Sequence, residues 1–374
     1  MLKVKKPLVK LWQLLLVFIS GIVCVVATHY DAFLYHQPVG EVVQVLHSKT
    51  TTVQDEYQNT DQQTKQQLRL RVLNGSYRGH YFTVSNTYTR SGALDVPYHR
   101  HQQVMMSIER VKGKPTAAIS NPKRDTSVVF TLWLAITLTL LFMRFSGVMA
   151  LLSIGINALL FYAAICWDLH WNGANVLMIF GSLAVLFAIM TLTLVLGFHK
   201  ATIIALTATL GGTFLALLIG TGIMNITHEK NIYFEAMAYV TQLPRPLFRA
   251  EILLGSLGAV MDIIMDMVAT LTQVCHEQPN LSHRQIFITA RHIGQSIMGP
   301  LINVLFMIFI GSTLPMAILY LQNGNSIAYT FHFVMSLGIV QSLISGIGIT
   351  LAVLLTEILA SWLMGKKVNT DVNH

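Results

Sequence analysis

The sequence predicts an α-helical polytopic membrane protein of about eight transmembrane helices. A small extracytoplasmic β-rich domain, OB-like or barrel-like, is expected between the first and second. Three observations predict this. The 374-residue chain is 53% hydrophobic and only 11% charged, where a soluble protein carries about 25% charged residues. Apolar runs near the roughly 20 residues that cross a bilayer recur along it. One polar block, residues 29–126, stands apart from them.

The first apolar run, 11–28, follows the basic stretch MLKVKKPLVK. Its core, Leu11–Ala27, exceeds the 7–15 residues of a signal peptide, so residues 1–28 read as an uncleaved anchor. Val25 and Ala27 offer only a weak cleavage site. Ile22 and Val23 before Cys24 leave no lipobox.

Within 29–126, GEVVQVL (40–46), QLRLRVL (67–73), GHYFTVS (79–85) and QQVMMSI (102–108) alternate or run apolar for the length of a strand. Polar turns such as NGS at 74–76 separate them. The stretch QDEYQNTDQQTKQ at 54–66 reads as a mobile loop.

Seven further runs follow, at 127–143, 146–167, 175–197, 201–224, 252–274, 297–320 and 333–363. They make 127–367 the transmembrane domain and 368–374 a cytoplasmic tail. With Lys3, Lys5, Lys6 and Lys10 inside, alternation puts Arg144, Lys200, Arg284, Arg291, Lys366 and Lys367 on the cytoplasmic side. That satisfies the positive-inside rule and places the protein in the cell membrane with both termini cytoplasmic. The outer loop 225–250 is the exception, because it carries Lys230, Arg245 and Arg249. Its segment IYFEAMAYV suits an interfacial helix or a plain connection, and the prolines of QLPRPLFRA are expected to stop helix ahead of the next span. The net charge of +8 is spread over loops and ends, which suits topology rather than nucleic acid.

GAVMDIIMDMVAT at 258–270 sets two aspartates in a span. Residues three and four apart share a helix face. One face therefore gathers Gly255, Gly258, Ala259, Asp262, Asp266, Ala269, Thr270 and Gln273, and most of the bulky apolar residues lie elsewhere. Small and polar stripes face neighbouring helices or a wet cavity, so this one is expected to point inward. A carboxylate in mid-membrane costs roughly 2.5–3.5 kcal/mol. Protonation or a cation relieves it, and no Lys or Arg falls deep in an expected span. Neutral acids bonded to neighbouring helices are the plainer alternative. Asn303 shares a face with Gly299 and Ser296, and Gly338, Gln341, Ser342, Ser345 and Gly348 form another stripe, with Glu357 deeper. Such oxygen-rich groups suit a hard cation or a proton, and equally suit interhelical bonds and close packing.

GSLGAVMDIIMDMVATLTQV and SHRQIFITARHIGQSIMGPLINVLFMIFIGSTLP, together with GEVVQV and LRVLNGSYRGHYFTVSN, resemble the YibE/F-like family of bacterial multispan membrane proteins. Gly258, Ala259 and Asp262 match that family's Gly-Ala-x-x-Asp stretch, and Ile293, Gly294, Gly299 and Asn303 match its second motif. Gln295 and Ser296 stand where the family has Arg-Asp, Pro300 replaces Thr, and Asp266 is an additional acid. The resemblance implies a permease-like protein with a related membrane subunit as partner.

Other chemistries fit poorly. Intramembrane aspartyl proteases need aspartates on two facing helices, one in a Gly-x-Gly-Asp setting. HEQPN at 276–280 lacks the second His of a zinc protease. His276, His283 and His292 are expected in one cytoplasmic loop, and His99 and His101 outside, as scattered surface residues. No phosphate-cradling GxxxxGK[ST] occurs, and Cys24, Cys166 and Cys275 make no disulfide set. The sequence thus predicts a non-enzymatic permease that binds a proton or cation at Asp262 and Asp266. Asn303 and Gln341 or Glu357 assist, and Gly255, Gly258, Ala259, Gly294 and Gly299 serve helix packing. No cofactor beyond that proton or cation is implied. Membrane lipid is the other expected partner. A non-transporting scaffold acting through its outer domain is the alternative.

Overall fold

The computed structural model describes residues 11–92, 95–111, 113–171, 173, 175–230, 232–237 and 243–365. The basic residues Lys3, Lys5, Lys6, Lys10, Lys366 and Lys367 and the expected tail 368–374 lie outside the described residues. The chain divides into two compact units, Met1–Gly147 and Val148–His374.

The first unit opens with helix α1 (Leu11–His29) and a 3-10 turn at Asp31–Leu34. Five antiparallel strands follow: β1 (Val39–Gln54), β2 (Thr60–Val72), β3 (Tyr81–Thr89), β4 (Gln103–Val111) and β5 (Lys114–Pro122). Their order is β3-β2-β1-β4-β5, and the two edges β3 and β5 curl toward each other into a half-barrel. Period-two alternation drives this, because side chains alternate between the faces of a strand. Val42, Leu68, Leu70, Val72, Val84, Val104 and Met106 all turn into one core.

Two expectations for this domain are corrected. Residues 60–66 are strand, not loop: β1 and β2 pair from Gly40↔Val72 to Gln54↔Thr60. Only 55–59 turns, with Asp55 Oδ1 accepting from the Tyr57 and Asn59 amides at 2.9 and 2.8 Å. Polar side chains in the core hid the strand. Buried Gln66 exchanges two 3.2 Å bonds with the backbone of Tyr98, which satisfies its amide. Strand β5 is not among the four segments located from the sequence, because it carries Pro115 and Pro122, which an edge strand tolerates.

The domain's start and finish are tied together. Lys123, whose side chain is 2% exposed, meets Asp31 and also Asp125 Oδ2 at 3.0 Å, and its ammonium donates to the Thr28 carbonyl. Tyr35 donates its hydroxyl to Asp125 Oδ2 at 2.8 Å. Burial, then that carboxylate, push the Tyr35 phenol up to about 12.

Helix α2 (Asp125–His170) leads from the first unit into the second. The second unit adds α3 (Val176–Leu196), α4 (Lys200–Ile226), α5 (Pro244–Glu277), α6 (His283–Gln322) and α7 (Ile327–Met364). These six helices are long and apolar enough to cross a membrane, with mean hydropathy from 1.9 to 2.5. Among the described residues the count is six, with α2 taken as one, where the sequence predicts eight. The runs 127–143 and 146–167 are both helical, and α2 joins them across a sharp non-helical break at Arg144 (φ 51°, ψ −122°) with no loop between. The run 11–28 is α1, whose described apolar stretch, Leu16–His29, is short.

Helices α4, α5 and α7 form the core of this unit, with α3 and α6 against it. Glycine sets the α4–α7 approach. A Cβ on Gly212 would stand 2.5 Å from the Ala352 Cβ, and one on Gly348 would stand 3.2 Å from the Ala216 Cβ. Close backbone approach of this kind is how helices associate in lipid.

Loops are shorter than expected. Helix α5 starts at Pro244, so Pro244 and Pro246 open the helix rather than stop one, where proline is well tolerated. Of the expected interfacial helix, only the 3-10 turn Phe234–Ala236 is helical among the described residues. Arg245 Nε meets Glu229 at 2.7 Å and Arg249 Nη2 meets it at 3.8 Å, so one acid answers two of the loop's three cations. His276 lies on α5, and His283 and His292 lie on α6, not in a shared loop. Ser282 caps α6 in a capping box with Gln285, which satisfies two free amides and fixes the start.

Candidate intramembrane site

Helix α5 divides sharply by face. Leu253, Leu257, Val260, Ile263, Ile264, Met267, Val268 and Leu271 are buried. The opposite stripe, Gly255, Asp262, Asp266, Ala269, Thr270 and Gln273, is exposed on the protein surface. The sequence expectation that this stripe points into the bundle is therefore corrected. Helix α5 packs against α3, α4, α6 and α7, and its bulky face fills that interior at high density.

Part of the stripe still faces a cavity. Two hollows of about 660 and 300 Å³ lie between α5, α6 and α7 and share Gly255, Leu305 and Ile308, so they form one cleft. Glu251 and Gln341 line its larger part and Asp262 its smaller part, beside Ala259. Ser342, Ser345, Ser312 and Thr313 add hydroxyls to the larger part. Gly255 is what lets Gln341 reach the helix: a Cβ there would stand 2.8 Å from Gln341 Nε2. The Phe309 ring lies directly on Gly338 at the cleft wall.

The predicted residues thus separate. Asp262, Gly255, Ala259 and Gln341 come together at the cleft. Asp266 and Asn303 are exposed and line neither hollow. Gly258 and Gly299 have open space where a Cβ would be, so they do not serve helix packing within this chain. Gly294 does, because a Cβ there would stand 2.5 Å from Val353 Cγ1.

Glu357 belongs to a different place. It is 3% exposed, and its Oε1 is 3.7 Å from the position of a Cβ on Gly294. Arg291, two residues before Ile293 on α6, acts on it electrostatically. Among the described residues neither Asp262 nor Asp266 has an ion pair or a side-chain hydrogen bond.

Sequence reasoning missed two of these groups. Glu251 sits four residues before Gly255, on the same stripe, but a span started at 252 left it in a loop. Arg291 sits four residues before Gln295, where the resembling family has its arginine. Both were lost because α5 and α6 reach further than their apolar cores.

The model of the YibE/F-like protein family matches residues 131–366. This chain belongs to the YibE/F-like family. The model of the YibE/F family N-terminal domain matches residues 33–122, which covers the half-barrel of this YibE/F-like protein. No curated protein and no solved structure matches the chain. The YibE/F-like region takes in the whole of the cleft between α5, α6 and α7.

Proposed function

We propose that this YibE/F-like protein is a non-enzymatic permease that moves an unidentified solute together with a proton or cation. The cleft between α5, α6 and α7 is its path, and Asp262 is the group that takes the positive charge. The observation that carries this is Asp262 itself, lining a cleft in an apolar bundle with no basic partner among the described residues. Intramembrane acids of this kind belong to ion paths and proton relays. Gln341, Ser342 and Ser345 supply neutral oxygen donors further along the cleft. The only co-ligand this chemistry needs is the proton or cation. The protein works in the cell membrane with both termini cytoplasmic.

The test is reconstitution into liposomes holding a pH-sensitive dye, with a voltage imposed across the membrane. Wild type carries a proton current, and Asp262→Asn inserts equally well and carries none. Equal currents in the two overturn the assignment.

One observation favours a second reading, a scaffold. Asp266, Gln295, Ser296 and Asn303 all face outward, and polar groups in lipid seek a protein neighbour. A related YibE/F-like subunit would cover them, with recognition left to the outer domain. On this reading Asp262→Asn is silent and deletion of 29–126 abolishes function.

A further inference from the structure

A second cleft, of about 930 Å³, lies in the first unit. It opens beside His29 and Tyr30, where α1 gives way to the sheet, and Phe33, Arg71 and Arg78 stand on its wall. Its floor is rigid. The buried carboxamide of Asn74 donates to the Ala32, Tyr35 and Gln37 carbonyls at 2.7, 2.9 and 3.0 Å and accepts from the Val39 amide at 2.6 Å. One side chain thus fixes the 32–39 segment against the β2–β3 turn that carries Arg78. Gly75 (φ +71°) and Gly79 (φ +85°) shape that turn in left-handed backbone, which glycine adopts freely.

The two guanidinium groups are uncommitted. Neither Arg71 nor Arg78 makes an ion pair or a side-chain hydrogen bond among the described residues. Their neighbours differ. Arg69 is held over the Tyr81 ring at 4.9 Å; Glu41, the acid in this cleft, stands across from Arg71 in the β1–β2 register but meets His101 Nδ1 at 3.2 Å and makes no ion pair with Arg71. Two forked donors lining one cleft match a phosphate, whose oxygens accept paired N–H bonds.

The cleft's level relative to the membrane follows from the helices beneath it. Trp133 Nε1 donates to Ser20 Oγ at 3.1 Å, so α1 and the first part of α2 run side by side. At 1.5 Å per residue, Ser20 lies about 12 Å before Thr28, and Trp133 about 12 Å after Asp125. The two helices therefore end level, where Lys123 ties Thr28, Asp31 and Asp125. Tyr30 is 72% exposed and Phe33 is 78% exposed, continuing the exposed apolar surface of α1 into the cleft's rim. Aromatic side chains at the end of an apolar span occupy the headgroup layer.

We propose that this cleft binds the phosphate of an anionic membrane lipid. Arg71 and Arg78 grip the phosphodiester, and Tyr30 and Phe33 lie along the glycerol and upper acyl chains. The site is independent of transport through the α5–α6–α7 cleft.

The test titrates the purified full chain, in uncharged detergent, with dihexanoyl phosphatidylglycerol, dihexanoyl phosphatidylcholine and inorganic phosphate. The glycerol lipid binds at least about tenfold tighter than the choline lipid. Arg71→Gln and Arg78→Gln each weaken it by about tenfold or more, the scale of a lost charged hydrogen bond. Arg69→Gln leaves binding unchanged. Both test arginines are exposed, so the variants retain the wild-type melting temperature. Equal affinity for the two lipids overturns the proposal, as does wild-type affinity in both arginine variants. Displacement of the lipid by an equal concentration of phosphate also overturns it, because the site would then read free phosphate.

Discussion

The carboxamide nitrogen of Gln341 stands 2.8 Å from where a Cβ on Gly255 would lie. The contact is with the far end of a flexible side chain, so Gly255→Ala displaces the amide at small cost and the protein still accumulates. Gly255→Leu cannot be accommodated that way and fills the junction of the two hollows. Proton current in liposomes is expected to fall modestly for Gly255→Ala and to vanish for Gly255→Leu, with both proteins inserting normally. Full current through Gly255→Leu would show that the cleft is not the path.

Gly212 makes the opposite kind of contact. A Cβ there would stand 2.9 Å from the Ala352 backbone nitrogen and 2.8 Å from its Cα, and backbone cannot swing aside. Gly212→Ala is expected to push α4 from α7 and to destabilise the bundle by about 1–3 kcal/mol, the usual cost of overpacking. Thermal unfolding in detergent measures this. Gly258→Ala, which meets nothing within 4 Å, is the control and leaves the midpoint unchanged.

Lys123 is buried between Asp31 and Asp125. Lys123→Met leaves two largely buried carboxylates facing each other with no cation, and breaking a buried pair on one side costs about 3 kcal/mol or more. The half-barrel of this variant is expected to unfold earlier. Adding Asp31→Asn and Asp125→Asn restores most of the loss, because the repulsion goes with the charges. A triple variant no better than Lys123→Met would mean that packing of the lysine stem, not charge, holds the two ends.

Tyr35 gives the same junction a pH dependence. Its phenol is raised from 10.0 to about 12 in the folded protein by burial and by its bond to Asp125. A raised folded value favours the protonated form, so this contribution is whole below pH 10 and is lost as pH climbs from 10 through 12. Burial raises the Tyr98 phenol as well, so absorbance at the phenolate band should show more than one late-titrating tyrosine, and Tyr35→Phe should remove one of them. In Asp125→Asn that one should titrate earlier.

Much of the architecture is legible in the sequence because burial follows period. Leu68, Leu70 and Val72 alternate, and the strand is where they predict it. The runs at 175–197 and 201–224 match α3 and α4 almost to the residue, since their apolar windows and their helices coincide. Legibility fails where polar residues do structural work. Thr64 and Gln66 face the core of β2, so their strand reads as a loop, and Glu251 and Arg291 extend helices beyond their apolar limits. For the site, helical spacing correctly groups Gly255, Ala259 and Asp262. It cannot say which way the group faces, because a stripe of small and polar residues is compatible with an interior, a cleft or a neighbouring subunit. Asn303 shows the difficulty: it sits at the right depth, but its helix turns it away from the cleft.

That orientation separates the two aspartates. They lie one turn apart on α5, and from sequence they are equivalent, yet Asp262 lines the smaller hollow and Asp266 lines neither. A group on the path meets the moving charge at each cycle, and a group on the outer surface acts only through the field it exerts. Asp262→Asn is therefore expected to abolish proton current, and Asp266→Asn to lower it by no more than about twofold. Each variant is compared at matched protein density, with a co-reconstituted ionophore confirming that the liposomes are sealed. If Asp266→Asn is the more damaging change and chemical crosslinking between copies is lost with it, the outward face is a subunit contact and the working charge sits there, between chains, instead of in the cleft of one.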